Sequence, residues 1–347
     1  MERSEHMKKG LKKVLSLLCA AVCGVGCGVG LTACEKDTLD KEATVYMPDG
    51  APALALAGLM HKDTEEDGIS YYVTKSDAIA SKVTYKDEEK NADFCVMPLN
   101  AAAKLLGEGD RYVMIGALTH GNLYIVSKDE MNYTTENLSA LIGKKVGVLQ
   151  INNVPGLTFK SVLNKNNIPW VEATNKGGMY EDKVNLLPIA DATAVGTLEA
   201  DCFVVAEPAA TAQAKKGFAI VGDLQTLYGG ENGYPQAVLV GKRDIVEVHT
   251  LWMSKFLEDV KESMEWLVTA TGEQIVTAIN GHLDSTLQES SLKAPLLTAE
   301  VIGRCGVRYV KAADCKDAAS ALLQAFIGIN PNATALAKDN FFWTKDF

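Results

Sequence analysis

Two periods alternate along the chain. Short runs rich in Val, Ile, Tyr and Met read as strands, and between them apolar residues at three- and four-residue spacing read as helices. In the first part, strands are predicted at Val45–Met47, Ile69–Val73, Asp93–Pro98, Tyr112–Leu118 and Leu123–Ser127. Helices are predicted through Met60, from Ser76 to Ala80, and from Asn100 to Leu106, where Asn100 is a natural N-cap. A second series follows. Its strands are Lys145–Leu149, Val171–Thr174, Lys183–Pro188, Asp201–Ala206, Phe218–Val221 and Gln236–Val240, and its helices are Asn137–Leu141, Pro155–Leu163, Thr193–Glu199 and Ala209–Lys215. The remainder is helical: His249–Leu267, Glu273–Ile279, Thr298–Arg304, Cys315–Phe326 and Ala333–Lys338. Strand–helix alternation of this kind predicts an α/β fold. No repeat or low-complexity segment interrupts it.

Four strand-to-helix junctions share one design. They are Met47-Pro-Asp-Gly-Ala-Pro52, Met97-Pro-Leu-Asn100, Asn152-Asn-Val-Pro-Gly156 and Ala206-Glu-Pro208. Each sets Asn, Asp or Glu at a helix start, and three carry Pro near the first helical position. Taken singly, each is ordinary capping. Taken together, four such junctions in two α/β units predict two sheets whose strand ends face one cleft, where free helix N–H groups and short polar side chains meet a ligand. The candidate ligand-binding residues are therefore Asp49, Gly50, Ala51, Asn100, Asn152, Asn153, Val154 and Glu207. Thr119, His120 and Gly121, in the polar turn between two strands, and Tyr234, in a Gly-rich loop, join them.

The beginning of the chain changes the accounting. Lys8, Lys9, Lys12 and Lys13 precede an uncharged apolar segment, Val14–Leu31, and then Leu31-Thr-Ala-Cys34. This order predicts a secretory leader; a membrane span is the weaker reading, because the segment holds four glycines and is only marginally long enough. LTAC resembles the bacterial lipobox, which implies that Cys34 is lipidated and becomes the new N-terminus. Met1 and Met7 both remain candidate starts. The spacing Gly24-Val-Gly-Cys-Gly-Val-Gly30 imitates a dinucleotide motif but has no strand before it and no helix after it.

The whole chain has 347 residues and a formal charge of −10; five basic and two acidic residues leave with the leader, so Cys34–Phe347 carries −13. That acidity argues against a nucleic-acid partner. Of eight cysteines, Cys95, Cys202, Cys305 and Cys315 stay in the mature chain beside the anchor. The first two sit in apolar strands. Cys305 and Cys315 flank GVRYVKAAD and are candidates for a disulfide outside the cytosol, although spacing alone does not bring them together. Neither CxxC nor clustered histidines suggest a metal site, and no cofactor is expected.

The lipobox, MPDGAPALAL, VMPLNAA, ALTHGNLYIVSK, NNVPGLTF, VVAEPAA and GYPQAVLV, in that order, resemble the extracellular substrate-binding lipoproteins of ABC importers, in the branch for nitrate, sulfonates and thiamine-pyrimidine precursors. The resemblance implies a periplasmic-binding-protein-like fold of type II, with two crossover strands and a helical C-terminal part. It implies a leader over 1–33, a tether over 34–43, one lobe from 44–126 and 238–347, and a second from 127–237, with crossings near Val126–Lys128 and Gln236–Val240. It also implies a monomeric carrier, held by lipid to the outer face of the cytoplasmic membrane, that hands a small solute to permease and ATPase subunits. Enzymes of related fold are the competing class. Some act on chorismate-derived compounds in the cytosol, which the leader contradicts; another uses a cysteine-rich motif absent here. His120 has no visible partner as a base, so no catalytic residue is expected. The junctions carry carboxylates and amides but no Arg or Lys. An anionic solute usually recruits a guanidinium fork, so the balance favours a thiamine-type pyrimidine or other N–H-bearing heterocycle over nitrate or a sulfonate. Tyr180, Tyr228 and Tyr234 are candidates either to stack on such a ring or to anchor their loops.

Overall fold

Apolar runs without polar alternation, such as Tyr112–Thr119 and Leu123–Ser127, are buried at every position, as strands covered on both faces must be. The computed structural model describes residues 38–39, 41–62, 68–173, 179–229 and 233–347; the leader, Cys34 and half of the tether lie outside them. Among the described residues, in chain order, the strands are β1 (Ala43–Pro48), β2 (Ile69–Thr74), β3 (Phe94–Pro98), β4 (Tyr112–Thr119), β5 (Leu123–Ser127), β6 (Lys145–Leu149), β7 (Trp170–Glu172), β8 (Val184–Ile189), β9 (Cys202–Ala206), β10 (Ala219–Asp223), β11 (Ala237–Lys242) and β12 (Val307–Lys311).

They form two six-stranded mixed sheets, ordered β12-β4-β11-β3-β1-β2 and β10-β5-β9-β6-β8-β7. Register fixes which ends face the same way. In the first sheet Ala237 pairs with both Pro98 and Thr119, and Val307 pairs with Thr119. The edge therefore gathers the carboxyl ends of β3 and β4 with the starts of β11 and β12. In the second sheet Leu123 pairs with Ala206, and β6 and β8 run parallel to β9. The corresponding edge gathers Leu149, Ile189 and Ala206. The chain passes from one edge to the other at His120–Asn122 and returns through the segment before Ala237. The first crossing was expected near Val126–Lys128; it lies earlier because all of Leu123–Ser127 is hydrogen-bonded to β9 in the second sheet.

Alternate residues of β3 point to opposite faces. Phe94 and Val96 join a core with Met253, Phe256 and Val260 of the helix Thr250–Thr269, whose buried positions recur at helical spacing. Cys95 and Met97 join a second core with Leu322 and Phe326 of the helix Ala312–Ile329. That core continues into the second lobe through Val154, Phe159 and Val162, so helices from both lobes share it. The two cores explain the cysteines. Cys305 is buried in the first and Cys315 in the second, across the sheet from one another, and both are free thiols. The candidate disulfide is not formed.

Other expectations change. Ser76–Ala80 and Thr193–Glu199 give single 3₁₀ turns, Ile79–Val83 and Ala192–Ala194. Ala333–Lys338 is not helical; Lys338 instead bonds Gly107 through its N–H. The segment GVRYVK holds a strand, β12, and the long C-terminal helix starts at Ala312. Among the described residues no helix is long and apolar enough to cross a membrane.

Candidate functional site

The opening junction is shaped by Gly50, whose φ of 101° and ψ of −145° suit glycine. Its carbonyl accepts from Ala53 N–H at 3.0 Å, and Pro52 follows at the helix start. The helix breaks after Ala55, where the Ser263 hydroxyl donates to Ala55 O and accepts from Gly58 N–H. In the second lobe, Gln150–Asn153 turns the chain from β6 into the helix Val154–Lys165. Gln150 has a positive φ of 44°. Gly156 is required there: a Cβ would lie 2.2 Å from Ile151 O. The buried Lys160 ammonium donates to the same carbonyl at 2.9 Å and to Glu172 at 2.5 Å, fixing the turn from below.

These junctions enclose a cavity of about 330 Å³ between the lobes. From the first lobe, Asp49, Gly50, Ala51, Pro98 and Gln236 form its wall; from the second come Asn153, Val154, Asp191, Glu207 and Pro208. The size suits a small molecule. Three carboxylates line it and no Lys, Arg or His does. Asp49 Oδ1 accepts from the Ser290 hydroxyl at 2.5 Å and Oδ2 from Ser291 N–H at 2.7 Å, so this carboxylate tethers the loop that closes one side. Asp191 Oδ1 accepts from the hydroxyl and N–H of Thr193, which hold its carboxyl below the usual range. Glu207 is fully enclosed. It accepts from Thr211 N–H (3.0 Å), the Thr211 hydroxyl (2.8 Å) and Arg304 Nε (2.7 Å). Gln236 donates to Asn122 Oδ1 at 2.8 Å, and its own Oε1 has no partner among the described residues.

The remaining candidates lie elsewhere. Asn100 donates to Asn153 Oδ1 at 3.2 Å and to Ala333 O, and Asn152 accepts from Asn330 at 3.3 Å; both border a wider recess outside the cavity. Thr119 is buried and its hydroxyl accepts from Ala237 N–H. His120 and Gly121 are enclosed in the crossing, where Gly306 and Gly233 pass close to their carbonyls. Burial, then the nearby Arg308 guanidinium, pushes His120 down to about 4. Its Nε2 has no partner among the described residues. Tyr234 is buried; its hydroxyl donates to Gln225 and its ring meets Tyr228 edge-on, so it anchors its loop and does not reach the cavity. Tyr180 is exposed, with Lys183 over its ring.

Sequence reasoning missed Asp191, Gln236 and Arg304. Asp191 had a signal, an Asx residue two positions after a strand and two before Thr193. Arg304 had none, since it reaches Glu207 only through the tertiary fold. Among the described residues no group of His, Cys, Asp and Glu is placed to hold a metal ion.

No protein-family model and no curated protein sequence matches the chain. Solved structures do. A structure described as an ABC transporter from Parabacteroides distasonis is 18% identical, covers 88% of this chain and 100% of its own, and superposes with a TM-score of 0.66. The periplasmic aliphatic sulphonate binding protein SsuA from Escherichia coli is 14% identical over 88% of this chain and 93% of its own, with a TM-score of 0.60. The ligand binding component of an ABC-type import system from Staphylococcus aureus, with zinc bound, is 12% identical over 87% of this chain and 96% of its own, with a TM-score of 0.57. The likeness is one of fold: the described chain shares the two-lobed α/β architecture of these structures.

Proposed function

We propose that the protein is an extracellular solute-binding lipoprotein, which captures a small molecule between its lobes and delivers it to the permease and ATPase of an ABC-type importer. One observation carries this reading. Strand-end junctions from both sheets converge on one cavity between the lobes, with Asp49 on one wall and Asp191 and Glu207 on the other. Closure of two lobes on a solute needs such a shared wall, and the solute's preference for the closed form drives it. The leader and a lipid on Cys34 place the carrier at the outer face of the membrane.

The wall favours a solute bearing N–H donors, such as a thiamine-type pyrimidine or another N-heterocycle, over nitrate or a sulfonate. Ionised carboxylates only accept hydrogen bonds, and the one guanidinium beside them, Arg304, is held by Glu207 and does not line the cavity. Small apolar faces of Pro48, Pro98, Pro155 and Pro208 leave room for a flat ring. The described thiols are buried, burial pushes Cys202 and Cys305 up to about 12, and His120 does not line the cavity.

The test is extraction of the purified protein with organic solvent and mass spectrometry of the extract, followed by calorimetry with a thiamine-type pyrimidine, an alkyl sulfonate and nitrate. An N–H-bearing solute in the extract and binding of the pyrimidine alone are expected. Tight binding of the sulfonate or nitrate, strengthened by Asp49→Asn, would overturn the ligand class.

A further inference from the structure

The cavity opens outward. Gln150, Asn153 and Ala190 line both it and a second recess of about 720 Å³, which lies between the helix Leu99–Leu106 of the first lobe and the Gln150–Asn153 junction of the second. The two chambers differ in chemistry. The inner one sets the carboxylates of Asp49, Asp191 and Glu207 beside the amides of Asn122, Gln150, Asn153 and Gln236; the outer one carries the amides of Asn100, Gln150, Asn152 and Asn153 and no carboxylate. Its one cation, Lys104, is turned to Asn332 O at 2.5 Å. Asn100 is only 3% exposed, and both its known bonds use its NH₂ group. Its Oδ1 is buried without a partner among the described residues. Buried polar atoms are rarely left so unless something else completes them. A side-chain amide offers both a donor and an acceptor, which matches a hydroxyl group and gives no advantage to a charged one.

We infer that the cleft takes a two-part solute, with a flat N–H-bearing head in the inner cavity and an uncharged, hydroxyl-bearing tail among the amides of the outer recess. A nucleoside has this polarity. The inference rests on the solute-binding reading and specifies its ligand.

Calorimetry with cytosine and cytidine isolates the tail, because the two probes share a head. Cytidine is expected to bind at least about tenfold more tightly, the scale of one well-made hydrogen bond. That margin should collapse in Asn152→Ala, an exposed position whose variant is expected to fold, with an unchanged melting temperature as control. Equal affinities for the two probes overturn the inference, and so does a cytidine margin that survives in the variant. If neither probe binds, the inference is overturned as well; the solute-binding reading then stands or falls separately, on whether the solvent extract contains a small molecule.

Discussion

Arg304 Nε donates to Glu207 Oε1 at 2.7 Å, joining a helix of the first lobe to the end of β9 in the second. The same guanidinium reaches the Thr211 hydroxyl at 2.8 Å and Glu300 on its own helix. Tyr124, also in the second lobe, donates its hydroxyl to Arg304 O. The pair is therefore a clasp beside the cavity: Glu207 is fully enclosed and Arg304 about a quarter exposed.

Arg304→Met leaves the Glu207 carboxylate buried with only Thr211 for company. The expected cost is about 3 kcal/mol, at the low end for breaking a buried pair. A drop in the urea unfolding midpoint and a larger radius of gyration check it. If neither moves, the ion pair does not hold the lobes together.

Acid acts on His120. Its folded pKa is pushed down to about 4, below the ordinary value of 6.5, so the fold favours the neutral ring. The unfolded chain binds the proton first. Stability from this site is thus complete above about pH 6.5 and is lost as pH falls toward 4, by up to about 3 kcal/mol. Urea unfolding at pH 7 and pH 4.5 should show a smaller acid loss in His120→Gln than in wild type. Identical losses would remove His120 from the acid response.

Gly156→Ala is expected to destabilise by about 1–3 kcal/mol, because the new methyl group meets Ile151 backbone atoms at 2.2–2.4 Å. The strain falls on the turn that carries Asn153 into the cavity, so solute affinity should fall with stability. A variant that matches wild type in both would show that the turn relaxes freely.

The lipid claim has its own test. Cys34→Ser should move the protein from the membrane fraction to the soluble one after cell fractionation. Incorporation of radiolabelled palmitate should be seen only with Cys34 present; a wild-type protein that takes up no label contradicts the anchor.

Much of this architecture is legible in the sequence, and for local reasons. Apolar runs marked β4 and β5 because both are buried throughout, and Pro, Gly and Asn marked the junctions because turn geometry is set within a few residues. β12 escaped notice: Arg308 and Lys311 dilute its apolar pattern, and it exists by pairing with Gly116–Thr119 far earlier in the chain. The partners of the site residues were hidden for the same reason. Nothing near Asp49 announces Ser290, and nothing near Glu207 announces Arg304. Between the two roles left open for the tyrosines, Tyr234 anchors its loop; Gly-rich surroundings do not say whether a ring faces the solute or its own loop.

The central claim is closure of two lobes on a solute. Small-angle scattering on protein stripped by unfolding and refolding, before and after saturation with the compound recovered from its own extract, tests this most directly. The account predicts a smaller radius of gyration at saturation, with Arg304→Met showing the larger value before solute is added. A radius unchanged at saturation, in a sample whose binding calorimetry confirms, would contradict it.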